Sequence, residues 1–211
     1  MALSTDKASS PVNLYGATKL CSDKLFVAGN AYAAEHVTRF SVVRYGNVMG
    51  SRGSVIPFFN RVKTSGTIPI TDARMTRFMI TVEEGVDLVL HAFQDMVGGE
   101  IYVKKIPSIK VTDIGLAIAP EAKQQIVGIR PGEKLHEQMI SEEDALSTYD
   151  YDGFYKILPM INGWDKEKAR IKQGQLVPSG FVYNSGTNTE WMSAHDLSEW
   201  VKKNQHMLIT R

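Results

Sequence analysis

Stretches of apolar residues with two different spacings follow one another along this chain. Residues 2–5 predict the end of a strand, and the β-rich run at 39–48 predicts a buried strand. Between them, apolar residues recur at helical spacing, which predicts a helix from a cap at Asn13 to about Glu35. The stripe that this helix is expected to bury consists of Leu14, Leu20, Leu25 and Val27.

The remainder of the chain repeats this alternation. The glycine-serine loop that begins residues 50–59 leads into a helix, and Thr81 and Glu84 have the spacing of a capping box at the start of the next helix. Residues 150–169 have no clear period and are expected to be mostly irregular. The other strands predicted are 100–106 and 125–129, and the other helices are 81–93, 110–119, 133–140 and 189–201, the last entered at Ser193. This order indicates an α/β architecture with parallel strands.

Composition narrows the class of protein. The 211 residues include 24 Lys and Arg against 23 Asp and Glu, which gives a net charge of +1. Proteins dedicated to binding nucleic acids or membrane surfaces have a basic face, so this balance argues against both classes. The one cysteine excludes an internal disulfide framework and fits a reducing compartment. Charged residues precede any apolar run at the start, and no apolar stretch has the length of a membrane span. We therefore expect a cytoplasmic protein with no nucleic-acid or membrane partner.

No metal site is predicted. The stretch Leu135–Met139 opens like a metalloprotease helix but lacks the second histidine, and the five His residues have no ligand spacing. The candidate chemistry lies instead in tyrosine, lysine and carboxylate side chains near the start of the chain.

Tyr15 and Lys19 are four residues apart, on one face of the first predicted helix. A tyrosine hydroxyl has a pKa of about 10, and a neighbouring ammonium group favours the phenolate form. Such a pair can remove a proton from a sugar or alcohol hydroxyl while hydride leaves for a nicotinamide ring. The spacing alone is no more specific than chance, and taken alone an accidental surface pair is the better explanation.

Asp6 and Lys7 follow the first strand, at the edge of an open α/β sheet where ligands bind. A lysine whose pKa is lowered by burial or by a neighbouring cation can act as a base, and a carboxyl group can act as an acid. Neighbouring residues of a strand point to opposite faces, so both side chains reach one substrate only if the strand has already ended. A solvated turn is the alternative, and the dipeptide alone does not decide between the two.

Two later segments contain residue types that suit a phosphorylated ligand. The loop at 50–54 can bring backbone amides close to a ligand, although an ordinary strand-to-helix turn is the commoner outcome. Arg74, Arg77 and Arg130 could converge on a pyrophosphate, because a guanidinium group binds phosphate through two hydrogen bonds. Surface or interface salt bridges explain each arginine at least as well.

Taken together and in order, these motifs resemble one enzyme family. The segments are STDK, PVNLYGATK, RYGNVMGSRGSVIPFF, ITDARMTRFMIT and IRPGEKLHE. They are similar to the inverting UDP-N-acetylglucosamine 4,6-dehydratases of the extended short-chain dehydrogenase/reductase superfamily, in particular the type that begins pseudaminic acid biosynthesis. The resemblance covers nearly the whole chain. It implies the C-terminal part of a Rossmann-like, doubly wound parallel sheet, together with a smaller α/β substrate-binding lobe.

The resemblance also divides the chain and assigns roles to its residues. Residues 1–60 would be the remaining half of an NADP-binding domain, and residues 61–211 mainly a lobe for the UDP-sugar, with segments that return to the first part. Tyr15 would take the proton of the sugar 4-hydroxyl, supported by Lys19, and Lys7 would remove the proton on C5 while Asp6 assists loss of the 6-hydroxyl. The implied cofactor residues are Leu3, Ser4, Tyr15, Lys19, Val48, Met49, Gly50, Ser51, Arg52 and Val55, and the implied substrate residues are Asn47, Thr71, Arg130 and Glu133.

The chain departs from the family in one respect. It has no G-x-G-x-x-G motif, the glycine-rich turn that holds the cofactor pyrophosphate in this fold. We therefore expect a truncated form that exposes an apolar sheet edge and is weak or inactive alone. Two alternatives stay open: a nucleotide-sugar 4-epimerase, which has no need of a base at C5, and an inert remnant that associates with full-length homologues. Because the full-length family forms oligomers, a homo-oligomer is the implied assembly.

Overall fold

The computed structural model describes residues 1–33, 38–161 and 163–205. Over these ranges strands and helices alternate along much of the chain, as the sequence predicts. The strands are β1 (Ala2–Thr5), β2 (Val42–Tyr45), β3 (Asn47–Val48), β4 (Thr67–Ile70), β5 (Thr76–Ile80), β6 (Ile101–Lys104), β7 (Ser108–Lys110), β8 (Lys123–Ile126), β9 (Gln138–Ile140), β10 (Thr148–Tyr151), β11 (Phe154–Ile157), β12 (Gln175–Leu176) and β13 (Tyr183–Asn184). The helices are α1 (Leu14–Tyr32), α2 (Val55–Val62), α3 (Val82–Asp95), α4 (Val111–Ile118), α5 (Glu142–Ala145), α6 (Lys168–Ile171) and α7 (Ala194–Lys203).

The chain divides into two compact units, each assembled from three separate segments. The first unit comprises residues 1–46, 83–105 and 138–184. The second unit comprises residues 47–82, 106–137 and 185–211, of which the structure describes those up to 205.

The first unit is built on a six-stranded sheet with the strand order β1-β2-β6-β11-β10-β12. β1, β2 and β6 run parallel, so their carboxyl ends meet at one edge of the sheet. The other strands pair antiparallel, from β6 to β11 and onward. The parallel sheet predicted from the sequence is thus found in one half of this sheet. In the other half, β10 and β11 form a hairpin, an antiparallel connection that needs no crossover.

The core of the first unit lies between this sheet and α3. It contains Val43 and Tyr102 from the sheet and Leu88 and Ala92 from the helix. The helix predicted at 81–93 is confirmed as α3, and the strand predicted at 100–106 is confirmed as β6.

The first helix begins where its cap predicts. The side chain of Asn13 accepts a hydrogen bond from the backbone nitrogen of Gly16 at 2.8 Å, which satisfies a donor that the helix itself leaves unpaired. α1 continues to Tyr32, and the predicted end near Glu35 lies outside the described residues.

The buried stripe predicted for α1 is wrong at two of its four positions. Leu14 is 80% exposed and Leu25 is 71% exposed, and the other two residues are half-buried. The residues that α1 does bury are Gly16 and Asp23. The helix is therefore seated in this unit through a close backbone approach and a buried charge, neither of which a hydrophobic pattern predicts.

Two other predictions are wrong. Residues 133–140 do not form a helix, because Gly132 turns with a φ of 81° and the chain then enters β9, which pairs with β13 more than forty residues later. Residues 150–169 are not mostly irregular, since this range overlaps the β10–β11 hairpin, a 3-10 helix at Trp164–Lys166 and the start of α6. The Asp152–Gly153 turn between those two strands is a strong hairpin signal, although the residues around it have no clear period.

Smaller differences concern boundaries. The strand predicted at 39–48 begins at Val42 and is divided at Gly46 into β2 and β3, and the strand predicted at 125–129 begins earlier as β8. The helices predicted after the glycine-serine loop and at 110–119 are confirmed as α2 and α4.

The second unit combines a three-stranded sheet, β3-β5-β7, with the parallel pair β4 and β8. Its core is formed by apolar side chains of these strands and of α2, α4 and α7, including Phe59, Ile68, Ile114 and Leu197. α7 starts at the predicted residue, because Ser193 and Asp196 form a reciprocal capping box.

Candidate functional site

The first strand ends directly before the predicted acid and base. β1 stops at Thr5, and residues Asp6–Ala8 form a single turn of 3-10 helix. Lys7 Nζ donates to Asp6 Oδ1 at 3.0 Å, and Asp6 is fully buried while the Lys7 side chain is 35% exposed. Because the strand has ended, both side chains lie at the same point of the sheet edge, as joint action on one substrate requires.

Thr5 is a member of this cluster that the sequence analysis did not single out. Its Oγ1 donates to Asp6 Oδ1 at 2.9 Å, so that carboxylate oxygen holds two donors. The same oxygen of Thr5 accepts from the Lys7 backbone nitrogen at 3.4 Å and caps the turn. The sequence signal for Thr5 is a threonine directly before an acid and a base at the end of a strand.

Gly16 lets α1 approach this turn closely. A Cβ atom at Gly16 would lie 2.3 Å from the carbonyl oxygen of Lys7, so only glycine fits at the contact. The neighbouring Tyr15 is 54% exposed. Lys19, one helical turn on, reaches back to β1 and donates from Nζ to the carbonyl oxygen of Leu3 at 3.1 Å. Tyr15 and Lys19 thus belong to a helix that packs on the Asp6–Ala8 turn.

A second tyrosine lies near Tyr15. Burial raises the pKa of Tyr45, at the end of β2, and the charge of Tyr15 raises it further. Tyr45 therefore keeps its proton at neutral pH and can donate a hydrogen bond beside Tyr15. Sequence reasoning did not identify Tyr45.

Leu3 and Ser4 are the other predicted cofactor residues of the first unit. Ser4 is buried, and within the described parts of the chain its Oγ has no hydrogen-bond partner. A buried hydroxyl that lacks a partner costs free energy, and a ligand that hydrogen-bonds to it would remove that cost. This hydroxyl, and the Lys19 ammonium group beside the Leu3 carbonyl, fit a bound cofactor at the end of β1.

The remaining predicted cofactor residues lie in the second unit, in and after β3. Met49 is 3% exposed and its side chain packs in the core, so it can offer a ligand only its backbone. Gly50 has a φ of 76°, and Arg52 is exposed. The segment Val48–Arg52 ends in the loop that leads into α2.

The second unit contains a cleft of about 340 Å³. All four predicted substrate residues line it, together with Val55 from the predicted cofactor set. Sequence reasoning missed Arg61 and the apolar wall that includes Phe58, because these residues belong to a helix that it did not connect with a ligand. The lining residues are Asn47, Gly53, Ser54, Val55, Phe58, Phe59, Arg61, Pro69, Thr71, Met75, Arg77, Val111, Val127, Arg130 and Glu133.

The cleft is cationic. Arg61, Arg77 and Arg130 line it against a single carboxylate, Glu133. Arg77 already has a hydrogen-bond partner within the protein, since its guanidinium group donates to the Thr76 carbonyl oxygen at 2.7 Å. In the portions of the chain that the structure describes, the guanidinium groups of Arg61 and Arg130 have no partner, which leaves both available to an anion.

Arg74, the remaining arginine predicted from the sequence, is used elsewhere. It forms an ion pair with Asp72 at 2.8 Å and is not among the residues that line the cleft. Hydrogen bonds from Arg74 lower the pKa of Asp72 to about 2.

Within the described residues there is no group of three or more His, Cys, Asp or Glu side chains that could hold a metal ion. No helix of the described chain combines the length and the apolar character needed to cross a membrane.

Known proteins similar to this chain include a dehydratase and an epimerase. The chain is 54% identical over 206 residues to the UDP-N-acetylglucosamine 4,6-dehydratase (inverting) of Campylobacter jejuni, a match that covers 94% of this chain and 62% of that protein. It is 39% identical over 206 residues to the UDP-glucose 4-epimerase of Rickettsia felis, with 94% and 60% covered. The chain thus spans less than two thirds of the length of these curated relatives, and it matches the C-terminal part of longer proteins.

The X-ray structure of Pen from Bacillus thuringiensis is a close structural match. Its TM-score with this chain is 0.82 at 30% identity, and the match covers 97% of this chain and 62% of that one. The expected fold class, the α/β fold of the extended short-chain dehydrogenases/reductases, is confirmed. Residues 1–159 match the model of the family described as polysaccharide biosynthesis protein, and the chain belongs to that family.

Proposed function

We propose that this chain carries the catalytic groups and the nucleotide-sugar cleft of a C5-inverting UDP-N-acetylglucosamine 4,6-dehydratase, a lyase. The observation that carries the proposal is the Lys7–Asp6 ion pair at the end of β1 with α1 packed on it, in a chain 54% identical over 206 residues to a dehydratase of that name. The product is a UDP-4-keto-6-deoxy-hexosamine, an early intermediate of pseudaminic acid and surface glycan biosynthesis.

The proposed cofactor is NADP, which when bound would supply the acceptor and donor of the hydride for this reaction. In the first unit the residues proposed to hold it are Leu3, Ser4, Tyr15 and Lys19, and in the second unit Val48–Arg52 and Val55. The partnerless Ser4 hydroxyl and the Lys19 ammonium group at the end of β1 support the first set.

Tyr15 is the proposed base for the first step. Its Oη takes the proton of the sugar 4-hydroxyl, which lets that carbon become a ketone. The half-exposed position of Tyr15 on the first turn of α1 leaves its oxygen open to a substrate. Lys19 places a positive charge one turn along the same helix and orients the cofactor ribose.

Lys7 and Asp6 are the proposed base and acid of the elimination. Across their 3.0 Å contact, transfer of one proton from the ammonium group to the carboxylate produces a neutral amine and a carboxylic acid. The amine then takes the proton on C5, and the carboxylic acid gives its proton to the 6-hydroxyl, which departs as water. The pair is again ionic at the end, so its protons balance. The ketone must form first, because the hydrogen on C5 is acidic only beside a carbonyl group.

The cleft of the second unit is the proposed site of the nucleotide-sugar. Arg61 and Arg130 offer guanidinium groups to the diphosphate, and the apolar wall at Phe58 suits the flat uracil ring. Asn47, Thr71 and Glu133 provide the polar groups that fix orientation. A homo-oligomeric assembly and a cytoplasmic location rest on the family resemblance and composition, and both stay predictions.

The experiment incubates UDP-N-acetylglucosamine with NADP in D2O and follows the product by NMR. It is run with the chain alone and with the chain fused behind the unmatched part of the Campylobacter relative. We expect a 4-keto sugar with C5 inverted and one solvent deuteron on C5 from at least one of the two forms. If neither form releases a keto sugar, the proposal is overturned.

A 4-epimerase is the second candidate, favoured by the 39% identity to the Rickettsia enzyme. An epimerase inverts C4 and leaves the C5 hydrogen in place. A product with inverted C4 and no deuterium on C5 would therefore select it over the dehydratase.

A further inference from the structure

A buried arginine joins the elements that carry the two halves of the proposed chemistry. Arg44 lies on β2, where its side chain is 2% exposed, and its Nη2 donates to Asp23 Oδ2 of α1 at 3.0 Å, with the Asp23 side chain 1% exposed. Its Nη1 donates to the carbonyl oxygen of Met139 on β9 at 2.6 Å and to Asp144 Oδ2 on α5 at 3.2 Å. One guanidinium group thus connects four elements of the first unit.

The α1 partner of this arginine is aligned with the catalytic pair. Tyr15, Lys19 and Asp23 are spaced by four residues each and therefore follow one face of α1. A shift of Asp23 along β2 would move Tyr15 and Lys19 with it, because a helix moves as a rigid rod over two turns.

The β9 partner of this arginine borders the Asp6–Ala8 turn. Gln138, the residue before Met139, donates from Nε2 to Ser10 Oγ at 3.4 Å, just beyond that turn. The hydrogen bond from Arg44 to Met139 therefore holds the strand that flanks Lys7 and Asp6. In the first turn of α1, Gly16 meets the carbonyl oxygen of Lys7.

The energetics favour a role in position rather than in stability. A buried ion pair gains little over an apolar pair of similar volume, because desolvation of both charges offsets their attraction. Within the described residues, Asp23 Oδ1 and Arg44 Nε are buried and have no hydrogen-bond partner, so this pair is not optimised for stability. Its directional hydrogen bonds fix the register of the joined elements, whereas non-directional contacts between leucine side chains would not.

We propose that Arg44 is a positioning residue, which fixes α1 against β2 and β9 and thereby sets Tyr15 and Lys19 at their distance from the Asp6–Ala8 turn. For catalysis this inference rests on the function proposed above, whereas the position of α1 is measurable without turnover. The test therefore has one readout of each kind.

The position of α1 is measured by double electron–electron resonance. The one cysteine, Cys21, is exposed on α1 and takes one spin label, and Asp152→Cys in the β10–β11 turn takes the other. We expect Arg44→Met and Asp23→Asn to shift or broaden the distance distribution. The matched control is Arg170→Met, which breaks a second buried arginine–carboxylate pair, with Glu100 at 3.3 Å, and should leave the distribution unchanged.

The catalytic readout uses whichever form of the protein turns over. Arg44→Met should lower kcat on the order of 100-fold with little change in KM, since small misplacements of catalytic groups have such effects. The double variant Arg44→Met/Asp23→Leu, which replaces the pair by apolar side chains, should regain thermal stability but not kcat. Arg170→Met should lose stability and keep kcat.

The outcomes separate the two proposals. An unchanged distance distribution in Arg44→Met, or full kcat in the double variant, would overturn the positioning role. Absence of turnover in the unsubstituted protein would overturn the proposed function alone, and the resonance measurement would still decide whether Arg44 holds α1.

Discussion

The Asp6–Ala8 turn of the first unit, where we propose the catalytic groups lie, and the cleft of the second unit are built in opposite ways. The turn uses residues that are neighbours in sequence, and its charges are paired with each other, as in Lys7 with Asp6 at 3.0 Å. The cleft gathers residues from Asn47 to Glu133, and two of its arginines have no partner in the described chain. A self-paired site is suited to moving protons internally, whereas an unpaired cationic cleft is suited to holding an anion.

The difference also explains which site could be recognised from short motifs. The turn is a contiguous stretch, so its residue types and order carry the information. The cleft exists only after distant segments have folded together: the family resemblance named four of its residues as substrate residues, whereas Arg61 has no local signal that marks it as part of a site.

The largest effect is expected from Lys7→Ala, which should slow dehydration without weakening the binding of UDP. Lys7→Ala should lower the rate of dehydration about 100- to 10,000-fold, because it removes the proposed base for C5. UDP affinity should be unchanged, since the proposed nucleotide site lies in the other unit. Steady-state kinetics and calorimetry with UDP check both points, with Lys24→Ala on the exposed face of α1 as the control. Unimpaired dehydration by Lys7→Ala would remove Lys7 from the mechanism.

Arg130→Ala, in the cleft of the second unit, should act mainly on nucleotide binding. Arg130→Ala removes a charged hydrogen-bond donor worth about 1.5–3 kcal/mol, so UDP should bind roughly 10- to 100-fold more weakly. Arg74→Ala is the matched control, because Arg74 is paired with Asp72 and does not line the cleft. Equal losses in calorimetry for the two variants would contradict the assignment of this cleft to the diphosphate.

The close contact of α1 with the turn can be broken by a single methyl group. Gly16→Ala places a Cβ 2.3 Å from a backbone oxygen and should destabilise the protein by about 1–3 kcal/mol, with loss of activity. Gly85→Ala, in α3, meets no atom within 4 Å and should stabilise by about 0.4–1 kcal/mol. Denaturant unfolding of both variants tests the pair, and a neutral Gly16→Ala would show that α1 can move off the turn.

Protonation of Asp95 should destabilise the first unit at low pH. Burial raises the pKa of Asp95, but hydrogen bonds from Lys156, Lys172 and Tyr102 outweigh it and lower the pKa to about 2. Since the folded pKa lies below the unfolded value of about 3.9, the stabilisation is present above pH 4 and is lost as the pH falls toward 2. Asp95→Asn should cost about 1–3 kcal/mol at pH 7 and almost nothing at pH 2. Melting curves at several pH values check this, with the exposed Asp87→Asn as control.

A smaller loss of stability should appear in the second unit at a milder pH, through His136. Burial lowers the pKa of His136, and the charges of Arg77 and Arg74 lower it further. As the pH falls below about 6.5 the unfolded chain takes up this proton first, so stability declines from there downward. His136→Asn should flatten the stability curve between pH 7 and pH 5. A curve of unchanged slope would exclude His136 as its source.

Predictions from the sequence succeeded where the determining interactions are local. The caps at Asn13 and Ser193 are set by contacts three residues away, and both helices begin where predicted. Asp6 and Lys7 could be placed after β1 for the same reason. The assignment of the individual site residues to cofactor and substrate stays a prediction.

The failures depend on partners far along the chain. Gln138–Ile140 forms a strand because it pairs with Tyr183–Asn184, and no local pattern contains that partner. Leu25 is exposed while Asp23 is buried, because Arg44 on a neighbouring strand supplies the opposite charge. A hydrophobic pattern assigns burial by residue type and therefore misses a buried ion pair.

The position of β1 in its sheet has a consequence for assembly. Within the described residues β1 is the last strand and pairs on one side only, with β2, so the backbone groups of its other side are available to a further strand. That edge leads directly into the Asp6–Ala8 turn. A polypeptide added there would extend the sheet next to the proposed catalytic groups, and its binding would be linked to the stability of the residues that we propose perform the reaction.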